Sequence, residues 1–212
     1  LELQYRMPSD IMGFSNEWFY KEKLQAAENT LSHELGESEP VLEWIDTAGS
    51  GYADQQEAES LSTFNPDEAR FACTHLNDTM KRIGFARFRQ ESWTIGLIAP
   101  YSAQVRMIRH LIFETYQYPN LRAFADWITI DTVDGFQGQE RDLMLISLTR
   151  SNEKGEIGFL ADERRMNVAL TRAKRKLILI GDSSTLAHHT FFDSLLGYFE
   201  EKGAYRSVYE FL

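Results

Sequence analysis

Four short apolar runs, each ending at a turn signal and each separated from the next by loop or helix-forming sequence, restrict what this chain can fold into. They are "TIGLIAP" (94–100), "WITIDTV" (127–133), "LMLISLT" (143–149) and "KLILIGD" (176–182), with a fifth, "VLEWID" (41–46), further upstream. Runs of this length read as strands, with "TIGLIAP" a continuous apolar one, and point to a sheet covered on both faces. Amphipathic helices stand around them. Ile11, Phe14, Trp18 and Phe19 fall at helical spacing after Pro8. A second helix opens at Asn65 with Pro66 in its first turn and Glu68 completing a capping box, and Gly84 stops it. Others start at Ser102, cover the arginine-rich stretch near 164–174 and run around Phe191 to Phe199, with a last strand expected in "SVYEFL". Strands alternating with helices give an α/β fold, a mainly parallel sheet with helices on both faces. Ligands of such sheets gather at the carboxyl ends of the strands. Pro100-Tyr101, Thr132 to Glu140, Thr149-Arg150 and Gly181-Asp182 all fall at expected strand ends.

The charge of the chain misleads if taken whole. A formal net charge of −10 argues against a polyanionic partner. Yet Leu24 to Ala69 contains eleven carboxylates and no lysine or arginine, and removing those eleven from the 32 acids leaves 21 against 22 basic residues. The segment from about 28 to 64 reads as an acidic surface excursion with weak internal order. At the other extreme, six basic residues crowd into the thirteen positions from Arg164 to Lys176, on a helix that leads straight into an apolar strand. No run is long enough to span a bilayer, which needs about 18 apolar residues, so no membrane partner is expected. The one cysteine, Cys73, lies in a helical pattern as a packing thiol and points to a reducing compartment, cytoplasmic or nuclear. His188 and His189 are adjacent and face different ways on a helix, and no histidine shows metal-ligand spacing, so no metal site is expected.

Three stretches carry a more specific signal: "LELQYRM" (1–7), "TVDGFQGQERD" (132–142) and "GFLADERRMNVALTRAKRKLILIGD" (158–182). With "IAPYSAQ" (98–104) they resemble, in order and spacing, the motifs of the second RecA-like motor domain of superfamily-1 helicases. The branch most resembled is that of the nonsense-mediated-decay and immunoglobulin mu-binding-protein helicases. The resemblance covers residues 1–212 as a single domain apart from the acidic excursion, and because Leu1 reads as the end of a strand the chain is expected to be a piece of a longer polypeptide.

The resemblance implies roles. Arg172 and Arg6 match family arginines that reach the triphosphate, Arg172 as the principal arginine finger. Arginine suits this because its planar fork meets phosphate oxygens bidentately and stays charged. Glu140 matches a glutamate that accepts from the ribose hydroxyls, Gly138 lets the main chain approach the nucleotide, and Tyr5 matches a tyrosine near the adenine. On the nucleic-acid side, Thr132 matches a hydroxyl that donates to a phosphate, while Pro100 and Tyr101 shape the track of the strand. Arg165, Val168 and Arg172 are expected on nearly one helix face.

ATP with Mg²⁺ is thus the implied nucleotide, and single-stranded DNA or RNA the implied partner. No G-x-x-x-x-G-K-[ST] loop occurs, so an upstream RecA-like domain is expected to supply the phosphate cradle and hold the metal, and the chain alone to be inactive. The competing reading is a binding or docking module that has lost turnover. The combination of Arg6, Glu140 and Arg172 argues for the enzyme, since strand binding alone does not need it.

Overall fold

The computed structural model describes residues 3–4, 7–21, 23, 25–26, 35–36 and 39–212. Numbering only the strands of the main sheet, they are β1 (Leu42–Asp46), β2 (Ile95–Ala99), β3 (Ile128–Thr132), β4 (Arg141–Ser147), β5 (Ala173–Gly181) and β6 (Tyr205–Ser207). Their order across the sheet is β6-β1-β5-β4-β2-β3, and every neighbouring pair is parallel. The helices of eight residues or more are α1 (Ser9–Tyr20), α2 (Pro66–Ile83), α3 (Ser102–Arg109), α4 (Glu163–Leu170) and α5 (Thr190–Glu201). A single π-helical turn, His110–Glu114, prolongs α3.

Successive strand side chains point to opposite faces, and here both faces are covered. Trp44, Leu177, Leu179, Met144 and Ile146 pack with α1, α4 and α5 through Phe14, Met166, Ala169, Phe191 and Phe199. Ile45, Ile178, Ile180, Leu143 and Leu145 pack with α2 and α3 through Phe71, Leu76, Met80 and Ile108. This is why the central strands read as apolar runs: on either face their side chains have a core to enter. A fully buried side chain of this kind contributes roughly 1.5–3 kcal/mol. Cys73 is among them, and burial pushes its thiol up to about 12.

Four expectations need correction. The acidic segment is not a surface excursion throughout: β1 lies inside the sheet, between β6 and β5, with all five residues buried, whereas no residue of 48–62 is buried. The carboxylates of β1 are met by protein groups. Asp46 accepts from the main chain and hydroxyl of Ser183 at 2.8 and 2.6 Å and from the hydroxyl of Tyr205 at 2.6 Å. Second, α4 ends at Leu170, and Arg172 stands on the turn before β5. Pairing of β4 with β5 begins at once, the Arg141 amide donating to the Arg172 carbonyl at 3.0 Å, and this takes the main chain out of the helix. Third, Asn65 caps α2 through the Glu68 amide as expected, but the Glu68 side chain leaves the capping box for Ser147 and Thr149. The final strand is Tyr205–Ser207, followed by a 3-10 turn, so "SVYEFL" is mostly not strand.

Candidate nucleotide and nucleic-acid interface

Two segments cross the molecule between the edges of the sheet. The stretch after β3 leaves the carboxyl edge at Thr132 and delivers Glu140 to the amino end of β4. Beside it, α4 follows the long loop after β4 and delivers Arg172 to the amino end of β5. The two segments touch at both ends. Near the carboxyl edge Arg165 Nη2 lies 3.2 Å from Asp134 Oδ2, and near the amino edge Arg172 Nη1 donates to the Gln139 main-chain oxygen at 3.3 Å. A strand of seven residues such as β4 spans roughly 23 Å. The sequence-predicted residues therefore form two clusters at opposite edges rather than one row at the carboxyl ends, and Glu140 belongs to the amino edge.

At the amino edge the loop is shaped by its own residues. Phe136 is fully buried and draws 134–136 into a 3-10 turn, over which the Arg141 guanidinium sits 5.5 Å from the Phe136 ring. Arg141 also donates to the Thr129 hydroxyl at 2.8 Å and to the Gln139 side chain at 2.7 Å. Gly138 adopts φ +78, a conformation other residues rarely take, and a Cβ there would meet nothing within 4 Å. The main chain at Gly138 thus faces open space, as an approaching ligand would require. Arg172 is half-buried, its Nε donating to the Val168 carbonyl at 3.0 Å. Glu140 is half-buried one residue beyond the Gln139 carbonyl that Arg172 holds. Tyr5 and Arg6, the other residues expected at the nucleotide, lie outside the described residues.

At the carboxyl edge Pro100, Thr132, Asp134, Phe159 and Arg165 line one small cleft. The Thr132 amide donates to Asp131 at 2.7 Å, while its hydroxyl makes no hydrogen bond among the described residues. Arg165 is exposed and shared between Asp134 and Asp162, the latter at 3.6 Å. Tyr101 departs from the expectation that it lines the track. It is only 5% exposed, stacked under the Phe159 ring at 5.2 Å, with its hydroxyl accepting from the Phe159 amide and from Arg150 Nη1 at 3.1 and 3.2 Å. The aromatic surface at this edge is Phe159, 61% exposed.

A buried polar network stands behind this edge. Glu68, fully buried, accepts through Oε1 from the Ser147 hydroxyl at 2.5 Å and the Thr149 amide at 2.8 Å, and its Oε2 has no hydrogen-bond partner among the described residues. Gln104 donates to the Ser147 hydroxyl and to the Asn65 carbonyl at 2.9 and 3.2 Å, and Asn65 donates to the Thr149 carbonyl at 3.3 Å. Together they hold Thr149 at φ +71, an unfavourable conformation for a β-branched residue. Burial pushes the Glu68 carboxyl up to about 8, the two hydrogen bonds offsetting only part of it. Past Thr149, Arg150 donates to Asp54 at 2.8 Å, and Asp54 also accepts from the Ser151 amide and Asn152 side chain.

The sequence reading puts Arg150 at a strand end and Glu68 in a capping box without giving either a role at the site, and it singles out neither Asp54 nor Phe159. Among the described residues no group of three His, Cys, Asp or Glu side chains could hold a metal ion, and no helix is long and apolar enough to cross a membrane.

Comparison with known proteins bears on the same residues. The model of a family described as "AAA domain" matches residues 1–184. Mouse DNA-binding protein SMUBP-2 is 36% identical over 221 residues, which take in all of this chain and 21% of that protein. DNA polymerase alpha-associated DNA helicase A of Saccharomyces cerevisiae is 34% identical, over 88% of the chain and 28% of the relative, and Helicase sen1 of Schizosaccharomyces pombe 32%, over 92% and 11%. The chain therefore spans between about a tenth and somewhat over a quarter of the length of these relatives.

Proposed function

The chain belongs to the AAA domain family, as a RecA-like C-terminal domain of a superfamily-1 helicase, and from this premise we propose that it is the second motor domain of an ATP-driven translocase on single-stranded nucleic acid. The observation that carries the proposal is the double contact between the crossing segments, Asp134 with Arg165 at one edge and Gln139 with Arg172 at the other. A change at a nucleotide beside Arg172 and Glu140 is passed through 134–139 and α4 to the cleft around Thr132 and Pro100.

In phosphoryl transfer the protein acts by positioning and charge neutralisation rather than by covalent chemistry. Arg172 meets the charge that develops on the transferred phosphoryl oxygens, joined by Arg6. Glu140 accepts from the ribose hydroxyls, and the open main chain at Gly138 lets the nucleotide approach. Tyr5 stacks near the adenine. Mg²⁺ supplies further neutralisation when bound, and its protein ligands come from an upstream RecA-like domain of the same polypeptide, which also provides the phosphate loop. On the other edge Thr132 and Arg165 contact the strand backbone, and Pro100 shapes its path. Such contacts are indifferent to sequence. DNA and RNA are both accommodated, and the cell compartment is the cytoplasm or nucleus.

The complete polypeptide should hydrolyse ATP, faster with single-stranded DNA or RNA, and its upstream coding sequence should encode a phosphate-binding loop. Absence of the loop together with strand-independent, negligible turnover leaves only a binding module and defeats the motor reading.

A further inference from the structure

Resting on the reading of the carboxyl edge as a strand track, we propose that Phe159 is a platform on which one base of the single strand stacks, and that Asp54, Arg150 and Tyr101 form the support that holds it there. The fold leaves this ring 61% in solvent while burying Phe136, Phe191, Phe192 and Phe199 almost completely. An exposed ring is ordinary when it hangs free. This one is braced from below.

The brace has three tiers. Asp54 accepts from Arg150 Nε at 2.8 Å, both side chains being largely buried. Arg150 donates to the Tyr101 hydroxyl at 3.2 Å, with its guanidinium 5.9 Å from the ring centroid. The Tyr101 ring lies 5.2 Å from that of Phe159 at 26°, an offset stack, and its hydroxyl accepts from the Phe159 amide while donating to the Ile157 carbonyl at 3.3 Å. Gly158 makes this possible: at φ +54 it turns the chain, and a Cβ would overlap the Tyr101 hydroxyl and Arg150. One face of Phe159 is thus occupied by an aromatic ring and the ring is largely open to solvent, the arrangement needed to continue a stack by one more planar group.

The surroundings select the occupant. Phe159 lines the same cleft as Pro100, the unengaged Thr132 hydroxyl and Arg165. A hydroxyl and a guanidinium next to an open ring match a phosphate next to a base. Stacking accepts every base, consistent with a track that reads no sequence.

The test uses the complete polypeptide with oligothymidylate carrying a single 2-aminopurine, read by anisotropy for affinity and by fluorescence for stacking. Phe159→Ala is expected to weaken binding roughly ten-fold and to abolish quenching of the 2-aminopurine in the saturated complex, whereas Phe159→Trp keeps both. Asp54→Ala, which loosens the brace without touching the strand, should give a partial loss of quenching. Unchanged affinity and quenching in Phe159→Ala overturns the assignment, and so does weaker binding with quenching intact. If the parent protein binds no strand in any position of the probe, the translocase reading fails with it; if the parent binds and Phe159→Ala matches it in affinity and quenching, that reading stands and this inference alone falls.

Discussion

Arg172 reaches back from the start of β5 to the Gln139 main-chain oxygen, 3.3 Å away, and so fastens the end of α4 to the loop that carries Glu140. Removal of this guanidinium breaks a tie between the crossing segments and, on the proposed reading, takes away a charge for the phosphoryl oxygens. If Arg172 is an arginine finger, Arg172→Ala in the complete polypeptide should lower ATP turnover roughly a thousand-fold or more, the range such residues supply. Strand affinity without nucleotide should stay near that of the parent, because Thr132 and Pro100 are at the far edge. Arg172→Lys should recover little, since a point charge lacks the planar fork. Steady-state hydrolysis at saturating strand decides it, and turnover within a few-fold of the parent removes Arg172 from the reaction.

Thr132 offers a hydroxyl that makes no hydrogen bond among the described residues. If it donates to a strand phosphate, Thr132→Ala loses one hydrogen bond of about 1 kcal/mol, close to a five-fold weakening. The loss should be alike for thymidylate, adenylate and uridylate oligomers, and Thr132→Ser should restore most of it. A loss confined to one base composition contradicts a backbone contact.

The strands were legible because both faces of the sheet are covered, so β2, Leu143–Ile146 of β4 and Leu177–Ile180 of β5 appear in the sequence as apolar runs. The caps of α2 were legible for a similarly local reason, Asn65 and Gly84 being adjacent to the ends they make. What depended on distant partners was not. "VLEWID" shows a strand but not its place beside β5, because Glu43 and Asp46 look like surface acids until Lys176, His75 and Ser183 are brought to them. The turn at Thr171-Arg172 has good helical neighbours on both sides, and only the pairing of Arg141 with Ala173 pulls it out of the helix. Tyr101 stands in a motif like a contact residue, yet Arg150 and Phe159, some fifty residues on, enclose it.

Glu68 gives a pH test of the network behind the carboxyl edge. Its carboxyl is raised from 4.5 to about 8 by burial, so the folded protein holds a proton that the unfolded chain releases. The folded state then binds more protons than the unfolded one between these values, and stability declines as pH rises from about 4.5 to about 8, levelling above that. Glu68→Gln keeps an acceptor for Ser147 and Thr149 and cannot ionise. Its unfolding free energy, from urea titrations across this window, should lack a component approaching about 1.4 kcal/mol per pH unit that the parent shows. Parallel slopes for the two proteins show that Glu68 does not carry the proton.

The basic run ends at Lys176, which answers why it leads into the core. Its Nζ donates to the Pro40 carbonyl at 2.7 Å and lies 3.3 Å from Glu43 Oε2 and 3.5 Å from Glu39 Oε2, with 1% of the side chain exposed. His75 Nε2 stands 3.2 Å from the same Glu43 oxygen. Burial alone would raise the Glu43 carboxyl, but the His75 hydrogen bond and the Lys176 charge outweigh it and bring it to about 2. The depressed value means that Glu43 contributes stability above about pH 4.5 and loses it as pH falls towards about 2. Lys176→Met leaves that carboxylate buried without its main counter-charge, and should cost about 3–5 kcal/mol at neutral pH. Adding Glu43→Leu should return much of the loss, since an apolar pair of similar volume often replaces a buried ion pair without net destabilisation. Urea unfolding of both variants measures this, and acid should distinguish them further: Lys176→Met should gain, relative to the parent, as Glu43 takes up its proton. A single variant costing under about 1 kcal/mol, within the range of exposed pairs, would mean that Lys176 is solvated and that the cluster does not fasten β1 to β5.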